Sequence, residues 1–119
     1  MKRSYQTSPD LNPEDKAKTM KELNLGYLNL SDEMFEQAKT NFLLALQYDS
    51  RCADSYWGLM LVKFQLGNED ELYSNPMTYK SAIFLPECQS ALQFADENQR
   101  AKYEDLLERI DKINSGENY

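Results

Sequence analysis

The sequence predicts an all-α chain of about five helices, paired as antiparallel hairpins that stack side by side. Three observations carry this. Apolar residues recur at helical spacings in five segments, and short polar punctuation closes each segment. The helix ending ALQYDS, Ala45 to Ser50, returns as ALQFAD, Ala91 to Asp96, 46 residues further on. Finally, Ala38, Phe42 and Ala45 set two small residues and one large one on a single stripe, a pattern that lets a second helix approach closely.

Taken in order, residues 1–11 are polar and aperiodic, and read as a disordered N-terminal arm. A single helical domain is expected over residues 12–113, with a disordered tail over 114–119. Asn12-Pro13-Glu14-Asp15 is a helix start: Asn12 caps free backbone N–H groups, Pro13 has a φ suited to the first turn, and the acids oppose the helix dipole. The first helix, about Pro13 to Leu30, carries Met20, Leu23, Tyr27 and Leu30 on one stripe, widened by Leu25 and Leu28. Ser31-Asp32 breaks it and offers a cap for the second, about Asp32 to Tyr48, which so short a turn must send back antiparallel.

Asp49-Ser50 repeats the punctuation. The third helix, about Arg51 to Leu66, holds Tyr56, Leu59, Leu61, Val62 and Phe64, and Gly67 is its expected stop. Residues 68–80, NEDELYSNPMTYK, mix acids, tyrosines and turn residues around Pro76, and read as an insertion loop. A fourth helix follows from Ser81 or Pro86 to Ala95. Asp96 caps the fifth, about Glu97 to Ile113, with Tyr103, Leu106, Leu107, Ile110 and Ile113 on its stripe. Asp105 with Arg109 and Glu108 with Lys112 add opposite charges four residues apart.

Leu25 and Leu59 lie 34 residues apart, and Leu25-Gly26, Ala38, Phe42 and Ala45 stand at spacings that resemble the tetratricopeptide repeat family over about residues 13–113. The stretch from DSYWGLMLVK to ALQFADENQRAKYEDLLERI is also similar to tetratricopeptide segments that accompany zinc ribbons in proteins of low-GC Gram-positive bacteria, without the ribbon. Asn29 and Glu22 depart from the family's usual aromatics, and Ser50 from its usual proline. The resemblance implies a short right-handed superhelix, with Gly26 and Ala38 facing each other at a close crossing. It also implies a concave face lined by the first helix of each pair.

Carried over residue by residue, the resemblance makes Leu23, Tyr27, Trp57, Leu61 and Phe64 an apolar, aromatic floor, with Glu104 and Glu108 as an acidic edge. Family members that grip a peptide carboxylate use Lys, Arg and Asn there. Here the matching positions hold Leu23, Tyr27, Asp54 and Gly58, with Asn24 the one residue of the needed type, so the implied ligand is an apolar peptide or partner helix with basic residues. The competing reading folds the fifth helix back and makes Trp57 and Phe64 plain core.

Composition narrows function further. The chain has 119 residues, Asp+Glu 20 against Lys+Arg 13 and a net charge of -7, which opposes the phosphate contacts of nucleic-acid binding. Without histidine there is no Ser-His or Cys-His pair and no HExxH zinc site. The four glycines are scattered, with no phosphate-cradling loop, and Cys52 and Cys88 are too far apart for a CxxC site. No enzyme activity, metal or cofactor is expected. The N-terminus lacks the apolar run of a signal peptide and Tyr56 to Val62 is too short to span a bilayer, so a cytoplasmic protein that binds no membrane is expected. The leading functional class is a protein-protein interaction scaffold. A small acidic chaperone for a client protein and a self-associating module, such as a homodimer, are its alternatives.

Overall fold

The computed structural model describes residues 5–74 and 85–114, and among these the chain forms six helices and no strand. Helix α1, Pro13–Ser31, starts as its sequence dictates: Asn12 Oδ1 accepts from the Asp15 N–H at 2.8 Å, with Pro13 in the first turn. It stops without glycine. Glu33 takes a left-handed φ of 62°, and the Met34 N–H donates to Asn29 O at 2.8 Å, capping a carbonyl the helix would leave open. Helix α2, Phe35–Tyr48, therefore begins later than the predicted Asp32, and Ser31-Asp32 closes α1 rather than capping α2. Helix α3, Ala53–Lys63, ends by the same device. Gln65 has φ 57° and Leu66 N–H donates to Leu61 O at 2.9 Å, so this turn, and not Gly67, is the stop.

A short helix α4, Asp70–Ser74, occupies the first half of the expected insertion loop. Leu72 is fully buried, and the Glu71 carboxylate accepts from the Gly67 N–H at 3.2 Å, so residues 68–74 are built into the body. The rest of that insertion, 75–80, and the Ser81 alternative lie outside the described residues. Helix α5, Pro86–Phe94, opens on its proline. Helix α6, Glu97–Asn114, is capped by Asp96, whose Oδ1 accepts from the Gln99 N–H at 2.8 Å. Arg100 reaches back from α6 to the carbonyls of Leu92 at 2.9 Å and Gln93 at 3.2 Å, satisfying the open end of α5. The expected tail beyond Asn114, and the side chains of Ile110, Lys112 and Ile113, fall outside what is described.

Packing pairs α1 with α2 and α3 with α5, while α2 also lies against α3 and α6 closes on α4 and α5. The ring of Phe42 occupies the centre. A Cβ built on Gly26 of α1 or on Gly58 of α3 would lie 2.6 Å from Phe42 Cε1, so two glycines on two helices open the notch that holds one ring. The small-residue stripe thus meets Gly26 through Phe42, where the resemblance implied Ala38. Tyr27 adds an edge-on contact to Phe42, with centroids 4.9 Å apart at 71°.

The two departures from aromatic residues are bridged instead by polar contacts. Asn29 donates to Asn41 at 2.8 Å, and Asn41 donates to Glu22 at 3.0 Å, forming a ladder that ties α1 to α2. Lys63 and Glu87, 3.6 Å apart, add an ion pair between α3 and α5.

Candidate functional site

The residues expected to form an open floor are divided by the fold. Leu23, Trp57 and Leu61 are fully buried, Tyr27 is nearly so, Phe64 is half-buried, and Glu104 and Glu108 are exposed on α6. Leu23, Trp57 and Leu61 therefore offer no surface to a partner in this structure, and the open groove is corrected to a filled one. The filling is the chain's own. Tyr103 of α6 stacks on Trp57 with centroids 4.0 Å apart and planes at 10°, and Tyr5 of the N-terminal segment stacks on Tyr27 at 5.3 Å and 22°.

The expected frayed arm is seated over residues 5–11. Gln6 donates its backbone N–H to Asp54 Oδ2 at 2.7 Å, and its carbonyl lies 3.7 Å from the Cys52 thiol. Its side-chain amide donates to Phe94 O at 3.3 Å and accepts from Asp96 N–H at 2.9 Å, spanning the junction of α5 and α6. Two residues on, Ser8 gives both its donors to Asp49: the N–H at 2.8 Å and the hydroxyl at 2.5 Å. Leu11 N–H then donates to Ser8 O at 3.2 Å, closing a turn over Pro9-Asp10, and Arg51 meets Asp10 at 3.3 Å. Polar composition alone did not foretell this order, because the partners are side-chain carboxylates and backbone groups far along the chain.

Asp54 is the hinge of the arrangement. It lies in the first turn of α3, where the helix dipole favours a negative charge, and is fully buried. Besides Gln6, it accepts from the Tyr103 hydroxyl at 2.5 Å and from the Gln99 side-chain amide, which itself lies 2.7 Å from that hydroxyl. The Tyr27 hydroxyl donates to the Asp54 carbonyl at 2.6 Å. A buried carboxylate is costly unless its lone pairs are filled, and here the arm and α6 supply the donors. Burial, then the nearby Tyr27 and Asp54, pushes the Tyr103 phenol well above its ordinary value, so it stays a donor.

Sequence reasoning missed Gln6, Ser8, Asp49 and Gln99, and read Tyr103 as stripe alone. The signal present was Asp54 itself, an acid one turn before Trp57 and the apolar run that follows it. Chemically, the cluster donates and accepts hydrogen bonds. Burial raises both thiols, Cys52 and Cys88, to about 11, which keeps them protonated and poorly nucleophilic. Among the described residues no group of three or more His, Cys, Asp or Glu side chains could hold a metal ion, and no helix is long and apolar enough to cross a membrane.

A cleft of about 370 Å³ lies beside the arm, bordered by Gln6, Pro9, Arg51 and Phe94. A second, of about 430 Å³, lies between Leu43 of α2, Leu59 and Val62 of α3, and Glu87 of α5. No protein-family model, curated protein or solved structure matches the chain.

Proposed function

We propose that the chain is a protein-protein interaction module of tetratricopeptide-like arrangement, binding a partner peptide across the ends of α3 and α6 beside α1. The observation that carries this reading is the non-helical N-terminal segment already lying there, held by Tyr27, Asp54 and Asp49 through stacking and hydrogen bonds. The repeat arrangement draws support from two recurrences. Helices α1 and α3 stop with the same left-handed turn, at Glu33 and Gln65, and α2 and α5 both end with a cap N–H bonded to an alanine carbonyl, Ala45 and Ala91. In such stacks each hairpin buries its apolar face on its neighbour, and one face of the row is left for partners.

The net charge of -7 favours a basic partner by steering and makes binding sensitive to salt. A surface this small holds ligands at roughly micromolar strength. The test is a random-peptide library displayed against the full chain, with enriched peptides titrated by fluorescence anisotropy at two salt concentrations. Peptides with an apolar anchor and a Lys or Arg, weakened as salt rises, are expected. No enrichment above background would remove the interaction reading. A second reading, self-association, is favoured by Leu25 and Leu28, which stay exposed one helical turn apart on α1. Mass rising with concentration, and lost on Leu28→Glu, is its signature.

A further inference from the structure

We infer that the arm is a resident occupant of a specific peptide site, and that this site takes a partner segment of the form aromatic-Gln-x-Ser or aromatic-Gln-x-Thr in extended conformation. The inference rests on the interaction-module reading above and names the core of its ligand, the Lys or Arg of that reading lying outside these four positions. The helical body supplies a set of acceptors and donors, and the arm satisfies them in a definite order. Asp54 Oδ2 takes the N–H of Gln6, and Asp49 takes the N–H of Ser8 two residues later. In an extended chain alternate N–H groups point to the same side, and the pair of carboxylates fits that backbone.

Side chains add three readings. Phe94 O and Asp96 N–H offer one acceptor and one donor side by side, which a primary amide matches and a carboxylate or an amine does not. Asp49 Oδ1 takes the hydroxyl of Ser8. The Tyr27 face receives the ring of Tyr5, the residue just before the amide. Remove the arm, and Asp49, Asp54, Phe94 O and Asp96 N–H lose partners they need, while the ring of Tyr27 loses its cover. A segment with the same four features replaces them in kind. The arm competes from within the chain, at an effective concentration on the order of millimolar for a short tether.

The experiment uses the full chain and the acetylated octapeptide SYQTSPDL, labelled with fluorescein and followed by anisotropy. Two proteins are compared, the natural chain and Gln6→Ala/Ser8→Ala, which loses the arm's three side-chain hydrogen bonds at Gln6 and Ser8 and none of the body's residues. Circular dichroism establishes that both are folded. The double variant is expected to bind the octapeptide at least about tenfold more tightly than the natural chain, because the internal competitor has been weakened. Binding is expected to fall at least about tenfold for an octapeptide N-methylated at Gln6 and Ser8, or carrying Glu in place of Gln6.

A folded double variant that does not bind the octapeptide would overturn the site, and the library result above would then stand or fall separately. Equal binding by both proteins would overturn the arm as competitor. Undiminished binding of the N-methylated peptide would overturn the carboxylate pair as a reader of backbone. A natural chain that forms dimers at high concentration, dissociated by the octapeptide, would assign the site to a second copy's arm and overturn a separate partner.

Discussion

At the scale of single residues, Phe42 decides how closely α1, α2 and α3 approach. Truncation to Ala removes a fully buried ring between two glycines and should cost about 3 to 5 kcal/mol, read from denaturant unfolding. Gly58→Ala should cost about 1 to 3 kcal/mol by pressing a methyl on that ring, and most of this cost should vanish in the Phe42→Ala background. Additive costs in that cycle would place the glycine's role elsewhere. Gly26 was legible as a close crossing through the resemblance, because that crossing lies within one hairpin, but with Ala38 and not Phe42 as its partner. Gly58 was not, because its partner sits on the preceding helix pair and no pattern within α3 announces it. Titration supplies a further residue-level test. Burial raises Cys52 and Cys88 from 9.0 to about 11 and raises Tyr103 above 10.0. The unfolded chain loses these protons first, so their contribution is complete below pH 9 and declines as pH rises from 9. Melting temperature should fall between pH 9 and 11, and Cys52→Ser/Cys88→Ser should flatten the lower part of that fall.

At the scale of elements, caps and stops separate what a sequence reveals from what it hides. Asn12 and Asp96 act where the pattern predicts, because a side chain bonding an N–H three residues away is a local event, and Pro86 takes the helix-opening role, one of the two the sequence left open. Asp96→Ala should cost about 0.5 to 2 kcal/mol, with α6 fraying first in hydrogen exchange. The stops at Glu33 and Gln65 escaped prediction because non-glycine residues take up a left-handed conformation there, a strain the surrounding packing holds. Helix α4 escaped for another reason. Five residues are too few for a periodic signal, and Leu72 is the anchor because the fold buries it, with α4 against α6. Leu72→Ala should cost about 2 to 5 kcal/mol if α4 belongs to the core. A change below about 0.5 kcal/mol, the range of a surface substitution, would return residues 68–74 to loop status.

At the scale of the whole molecule, the apolar stripes legible in sequence correctly announced helices, but a stripe does not say which of its residues a neighbour will cover. Tyr103 lies on such a stripe and Trp57 on the floor the resemblance implied, and their stacking turns that expected open floor into core. The arm is the larger gain over sequence: Gln6 and Ser8 reach Asp54 and Asp49 across more than 40 residues, a relation that composition does not encode. The central claim is that this arm is seated on the helical body rather than frayed, and amide hydrogen exchange at Gln6 and Ser8 tests it directly. Both amides should be protected well beyond the unstructured rate in the natural chain, Ser8 losing its protection in Asp49→Ala. Exchange of both at the rate of an unstructured peptide, in a chain whose Phe42 and Leu61 amides remain protected, would contradict the seated arm and the peptide site inferred from it.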